Sequence, residues 1–368
     1  MTKPLRLLLV TDAVGGVWVY SVELARALRA IGIDTSLAVL GPPPNAAQRE
    51  EAREFKLIDT GLPLDWLETS PRELCRAGDA LASIAAREGA DVVQTCSAAL
   101  LAEAEFDRPC IAVQHSCVAS WWATVKGTPL PKEFEWRREL VERGLARASA
   151  VVAPTRAFAA ETARIYGVDV LAVHNGRRPK GARELPQGDF IFTASRLWDQ
   201  GKNIATLDDA AALLSVPLHA AGPAHGPNGA AVALEHARAV GELGPDRLQG
   251  LLAARPIFAS AAVYEPFGLS VLEAAHAGCA LVLSDIPTLR ELWSECAIFV
   301  PARDRRAFAD VFERLLANRD ERERLGRAAS QRSQLYTPEL MAGRMADIYR
   351  RVLAGRRGAT RPQLAGAA

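Results

Sequence analysis

Short apolar runs alternate with stretches of helical spacing along almost the whole chain. Residues 5–12, LRLLLVTD, form a continuous apolar run that predicts a strand buried on both faces. The next stretch, VYSVELARALRAIG, places Val19, Val22, Leu24, Ala25, Leu28 and Ile31 near helical spacing and ends on Gly32, a helix stop. TSLAVLG, ADVVQTCS, CIAVQHS, ASAVVAPT and VLAVHNG repeat the strand signature through the first half. A stretch rich in Pro, Gly and charge, RRPKGARELPQGD from Arg177 to Asp189, breaks the pattern and predicts a linker with a hinge near residue 180. The pattern then restarts with DFIFTAS, VPLHAAGP, PIFASAAVY, CALVLSD and AIFVPARD. Such alternation predicts parallel sheets covered by helices on both faces. The expected fold is α/β, with two Rossmann-like doubly wound domains, 1–178 and 179–337. PELMAGRMADIYRRVLAG predicts a long amphipathic last helix over 338–355, and the aperiodic residues 356–368 predict a frayed tail.

Composition narrows the partners. The 368 residues suit two domains of roughly 150 residues or a little more. A hydrophobic fraction of 49% is ample for two cores, and a net charge of +1 argues against a nucleic-acid partner. The run LLLV is too short for a signal-peptide core and Asp12 interrupts it. No apolar run reaches the about 18 residues a spanning helix needs. The six cysteines form no C-x-x-C pair, so they read as reduced, mostly buried thiols of a cytoplasmic protein.

Ligands of open α/β sheets bind beyond the carboxyl ends of strands, so the residues after each strand carry the candidate chemistry. In TDAVGGVW, Gly15 and Gly16 allow close backbone approach at a helix start, or mark a simple tight turn. In SRLWDQGKN, Arg196 and Lys202 could cradle a diphosphate, or be two surface cations. In YEPFGLSVLEAAHAG, the Pro266–Gly268 corner opens a helix whose N–H groups favour phosphate. Glu273 lies one turn along, the ~5–6 Å step from a diphosphate to its ribose, and Glu265 lies before the corner, on the side of an attached sugar. His115 follows another strand end. Trp121 and Trp122 read as core for at least one, or as a platform for an acceptor. No D-x-D or metal-ligand spacing occurs, so no metal is expected.

In this order, VTDAVGG, VQHS, VVAPT, VHNG, SRLWDQGKN and YEPFGLSVLEAAHAG resemble the segments of the family-4 retaining glycosyltransferases with GT-B architecture, over nearly the whole chain. The most specific parts are the E-x7-E segment, Glu265 to Glu273, and the Arg196–Lys202 pair. The resemblance implies two domains facing across a deep cleft and transfer of a hexose-type sugar from a nucleotide-sugar donor. It places Glu273 on the ribose and Glu265 by the donor sugar as catalytic support. Phe267, Gly268 and Leu269 form the phosphate corner, with Gly268 and Leu269 as backbone donors. Arg196 and Lys202 become leaving-group cations, Gly15 and Gly16 the glycines that approach the donor, and His115 the cleft histidine, a catalytic candidate. Asn175 and Gly176 enter the hinge. Val240 to Leu243, and in it Glu242 and Leu243, meets the base. The last helix crosses back to the first domain.

The implied acceptor is a glycan, a lipid-linked group or a small molecule, in polysaccharide, glycolipid or glycoconjugate biosynthesis, with no cofactor beyond the donor. Acceptor choice falls to loops around Trp66 and from Trp121 to Pro131, which match no pattern. Arg137, Arg138, Arg143 and Arg147 suggest a weak peripheral membrane contact. The interleaved Glu133, Glu135, Glu139 and Glu142 favour a solvated face instead. Rival readings on a similar plan are a nucleotide-sugar epimerase, a phosphorylase, a two-lobed sugar-binding protein and a silent regulatory subunit. The intact Glu265, Glu273, Arg196 and Lys202 argue against the last.

Overall fold

The computed structural model describes residues 4–179 and 185–359. The middle of the expected linker and the end of the expected tail lie outside the described residues. The first sheet holds β1 (Leu5–Asp12), β2 (Ile33–Leu40), β3 (Lys56–Asp59), β4 (Val92–Thr95), β5 (Cys110–Val113), β6 (Ala150–Ala153) and β7 (Leu171–Ala172). The second holds β8 (Ile191–Ala194), β9 (Leu218–Ala221), β10 (Arg238–Gly241), β11 (Ile257–Ser260), β12 (Ala280–Ser284) and β13 (Ala297–Val300). The strand orders are β3-β2-β1-β4-β5-β6-β7 and β10-β9-β8-β11-β12-β13, and the pairings are parallel. Each order reverses once, between β1 and β4 and between β8 and β11. Those two switch points are where a doubly wound sheet leaves a crevice for ligand.

The central strands follow from the apolar runs. Leu7 to Val10 are buried on both faces of β1 because helices cover both sides of the sheet. Two strands carry no such run. In β3 (KLID) and β10 (RAVG), half or fully exposed positions prevail because each sits at a sheet edge.

The last helix runs over Pro338–Ala359, further than the periodicity predicts, so the expected tail begins later than residue 356. Met341, Met345 and Tyr349 are buried in the core of the first sheet. The chain therefore crosses between domains twice, and the crossings run side by side: the Arg177 amide donates to the Tyr336 carbonyl at 3.2 Å. Cys110, Cys279 and Cys296 are buried, whereas Cys75, Cys96 and Cys117 are half-buried, so burial of the thiols is less general than expected; none is in a disulfide. Trp121 is half-buried and packs against the small core cluster of Phe158 and Tyr264, whereas Trp122 is half-buried and outside the core clusters. No helix among the described residues is long and apolar enough to cross a membrane.

Candidate active site

The loops after the two switch points face each other across the domain boundary and carry most of the predicted residues. After β1, Asp12 Oδ1 accepts the Val14 amide at 2.8 Å and turns the chain into Gly15. The helix Gly16–Ala30 then starts with no side-chain cap, which leaves its first N–H groups open. A Cβ on Gly15 would stand 3.4 Å from Arg196 Nη1, and one on Gly16 would stand 3.6 Å from Leu269. The glycines of the first domain thus face the cation loop and the phosphate corner of the second. Burial pushes the Asp12 carboxyl above its usual range, against the pull of the Val14 amide and the Arg196 charge.

Beyond β8, Asp199 organises the loop that carries the cations. Its Oδ2 accepts from Arg196 Nη2 at 2.8 Å and its Oδ1 accepts from the Gly201 amide at 2.9 Å. Burial pushes this carboxyl up, but the Lys202 and Arg196 charges and its hydrogen bonds outweigh that and hold it below the usual range. Lys202 Nζ donates to Glu265 Oε2 at 2.7 Å, with the two side chains only 13% and 14% exposed, so water screens their attraction little. The acid and the cation that the sequence assigns to sugar and diphosphate therefore hold each other directly. Arg196 also lies 5.6 Å over the Trp198 ring, which stacks on Trp66 of the first domain at 6.4 Å and 17°.

At the corner, Gly268 has φ 88° and ψ 68°, a left-handed conformation that a side chain would strain. The helix Leu269–His276 follows with no side-chain cap, so its first N–H groups are available to an anion. Phe267 departs from its expected role. Its ring is buried and packs edge-on against Tyr336 at 5.9 Å, so only its backbone can serve a ligand. One turn into the helix, Glu273 Oε1 accepts from Arg177 Nε at 2.8 Å, and Arg177 Nη1 reaches Glu23 Oε1 at 3.1 Å. Arg177 is buried rather than part of a solvated linker, a correction to the expected Arg177–Asp189 span.

His115 is half-buried, with its ring edge-on to Tyr20 at 4.4 Å. Its Nε2 is buried and has no hydrogen-bond partner among the described residues. Burial lowers the imidazole to about 4, so it is neutral at pH 7 and can exchange a hydrogen bond but not supply charge. Glu242 and Leu243 lie just past the end of β10, not within a strand. Glu242 is exposed, while Leu243 packs part of its side chain into the second domain's core. On the helix Lys132–Arg147, Arg138 pairs with Glu135 and Glu142, Arg143 with Glu103 and Arg147 with Glu105, while Arg137 lies 4.5 Å over Trp136. The four arginines are matched rather than aligned as a bare basic stripe.

Two family descriptions match the chain: Glycosyltransferase Family 4 over residues 14–179 and Glycosyl transferases group 1 over residues 230–332. The chain belongs to the family-4 glycosyltransferases. Comparison of the sequence with curated proteins gives no match. Solved structures that it resembles include a sucrose-phosphate synthase from Thermosynechococcus elongatus, with 19% identity and a TM-score of 0.77 over 95% of this chain and 100% of that one. Another is HepE of Anabaena in complex with UDP and glucose, with 16% identity and a TM-score of 0.73 over 94% and 99%. A third is AviGT4, a glycosyltransferase involved in avilamycin A biosynthesis, with 20% identity and a TM-score of 0.62 over 96% and 99%. These likenesses establish the two-domain GT-B fold of this family-4 glycosyltransferase along nearly its full length.

The residues that sequence reading missed are those whose partners lie in the other domain. Arg177 directly follows the VHNG segment, but a single arginine in a Pro- and Gly-rich stretch has no local signature. Asp199 carries no signature of its own either, yet its carboxylate accepts from Arg196 at 2.8 Å and its carbonyl accepts the Lys202 amide at 2.8 Å.

Proposed function

We propose that this glycosyltransferase moves a hexose-type sugar from a nucleotide-sugar donor to an acceptor hydroxyl, with retention and without a metal. The observation that carries the reading is the convergence of Arg196, Lys202 and two uncapped helix starts, at Gly16 and Leu269, on one cleft between the switch points. That supplies several fixed positive groups where a diphosphate accumulates charge as it leaves. One structural relative, HepE of Anabaena, is solved with UDP and glucose and with UDP-glucose, which supports a donor of this chemistry. In the proposed step the acceptor oxygen bonds to the anomeric carbon as the bond to the diphosphate oxygen breaks. The acceptor proton passes to a departing phosphate oxygen on the same face, so no protein nucleophile is needed and configuration is kept. Glu265 lies beside the sugar, Glu273 takes the ribose and His115 offers a neutral hydrogen bond.

Arg196 and Lys202 do the work that a divalent ion does in metal-dependent sugar transfer, and among the described residues no three His, Cys, Asp or Glu gather as a metal site. We place the enzyme in polysaccharide, glycolipid or glycoconjugate assembly in the cytoplasm, where its six thiols stay reduced. Nucleotide release from UDP-glucose and related donors is expected to continue unchanged in excess EDTA, with the anomeric configuration of the product read by NMR. A strict need for Mg²⁺ or Mn²⁺, or an inverted product, contradicts the proposal.

A further inference from the structure

The helix Val118–Val125 belongs to the first domain, yet consecutive residues of it hold the cation loop of the second. Trp121 Nε1 donates to Asp199 Oδ1 at 3.0 Å, the same carboxylate that grips Arg196 through its other oxygen. Ser120 Oγ lies 2.7 Å from the Tyr264 hydroxyl, and Ser116 Oγ lies 3.1 Å from it. Tyr264 immediately precedes Glu265, the partner of Lys202. The amides of Val263 and Tyr264 both donate to the Gly201 carbonyl, at 2.9 and 3.1 Å, so the same segment also pins the turn before Lys202. Just past the helix, Lys126 Nζ donates to Gln200 Oε1 at 2.6 Å.

The fit is close at Gly201. A Cβ there would stand 3.0 Å from Trp121 Nε1, 3.2 Å from Asp199 Oδ1 and 3.4 Å from Tyr264 Cβ, so a side chain would force these neighbours to shift by a few tenths of an ångström. Ser120 is buried, and its own position is fixed by Cys117, whose Sγ accepts the Ser120 amide at 3.3 Å and lies 3.0 Å from the Tyr166 hydroxyl. Ser120, Tyr264 and Asp199 are buried, and hydrogen bonds at buried positions hold one arrangement of their members better than exposed contacts do.

We infer that Ser120 and Trp121 are positioning residues that fix the leaving-group cations, Trp121 acting on Arg196 through Asp199 and Ser120 acting on Lys202 through Tyr264 and Glu265. This rests on the reading of Arg196 and Lys202 as the groups that neutralise the departing diphosphate. Each reaches its cation through an intermediate side chain. Both come from the other domain, so the cation set is complete only when the two domains are together. An open cleft, to which water has access, then lacks the field that drives bond cleavage, and the donor is spared hydrolysis until the domains meet.

Trp121→Phe keeps the ring and removes the N–H, and Ser120→Ala removes the hydroxyl alone. Each is expected to lower kcat for transfer about tenfold, the effect of one lost positioning hydrogen bond. Affinity for UDP, GDP or ADP by calorimetry should stay within about threefold of the parent, because both cations remain and lose only their fixed positions. The amides of residues 199–203 should exchange faster with deuterium, while those of β1 and β2 keep their protection. Parental exchange over 199–203 in both variants overturns the inference, whether or not nucleotide binds. So does a kcat loss matched by an equal loss of nucleotide affinity and of melting temperature, which marks a general structural role. A parent chain that binds none of the three nucleotides while its 199–203 amides respond to Trp121→Phe overturns the donor reading and, with it, the catalytic meaning of these contacts.

Discussion

Lys202→Ala is expected to lower kcat for glycosyl transfer by about 10²–10³, the usual loss when one preorganised group facing a developing negative charge is removed. The structure gives two reasons for so large an effect. The ammonium is shielded, so its field reaches the cleft with little loss to water. It is also the partner of Glu265, so its removal leaves a carboxylate 14% exposed with no cation at 2.7 Å. Breaking a buried pair from one side destabilises by about 3–5 kcal/mol, and a half-shielded pair such as this one by less. The double variant Lys202→Ala with Glu265→Gln separates the two consequences. It should regain most of the lost melting temperature and none of the lost turnover. Turnover near the parental value in Lys202→Ala removes Lys202 from the leaving-group role.

Arg177→Met is expected to cause the largest loss of stability of any single change at the cleft. Arg177 joins Glu23, on the helix that starts at Gly16, to Glu273, on the helix that starts at Leu269. Both helix starts face the same cleft, so one guanidinium ties together the two helices that open on it. Without it two acids face each other in a pocket where the Glu23 side chain is 6% exposed, a cost of about 3–5 kcal/mol. Burial already raises the Glu23 carboxyl, with Arg177 opposing it, so removing Arg177 raises it further. A carboxyl raised in the folded state binds more protons folded than unfolded, so the variant should regain stability as the pH falls through that raised value towards the ordinary carboxylate range. Thermal melts of parent and variant at several pH values check this: a deficit that narrows on acidification supports the account, and a deficit independent of pH contradicts it. Glu23→Gln added to Arg177→Met should recover part of the loss at neutral pH.

The two predictions also show which features were legible in the sequence. Central strands such as β1, β5 and β12 could be read because both faces are buried and an unbroken apolar run fills most of each. The edge strands β3 and β10 could not, because exposure dilutes the same signal. Arg196, Lys202, Glu265, Glu273, Gly15 and Gly16 could be singled out because each follows a strand that is itself recognisable, and the structure brings them to one cleft. Asp199 with Trp121, and Arg177 with Glu23, could not. Asp199 and Trp121 are 78 residues apart, Arg177 is 154 residues from Glu23 and 96 from Glu273, and the contacts with Trp121 and Glu273 form only when the two domains pack. Local pattern finds what a strand end presents; it does not find what a second domain brings to that end.

The proposed metal-free nucleotide-sugar site is tested most directly by calorimetric titration of UDP, GDP and ADP into the chain in EDTA. The account predicts that one of the three binds at one site per chain, and that Arg196→Ala combined with Lys202→Ala weakens it at least about tenfold, or 1.4 kcal/mol. Absence of binding by all three without metal, or affinity unchanged by loss of both cations, would contradict it.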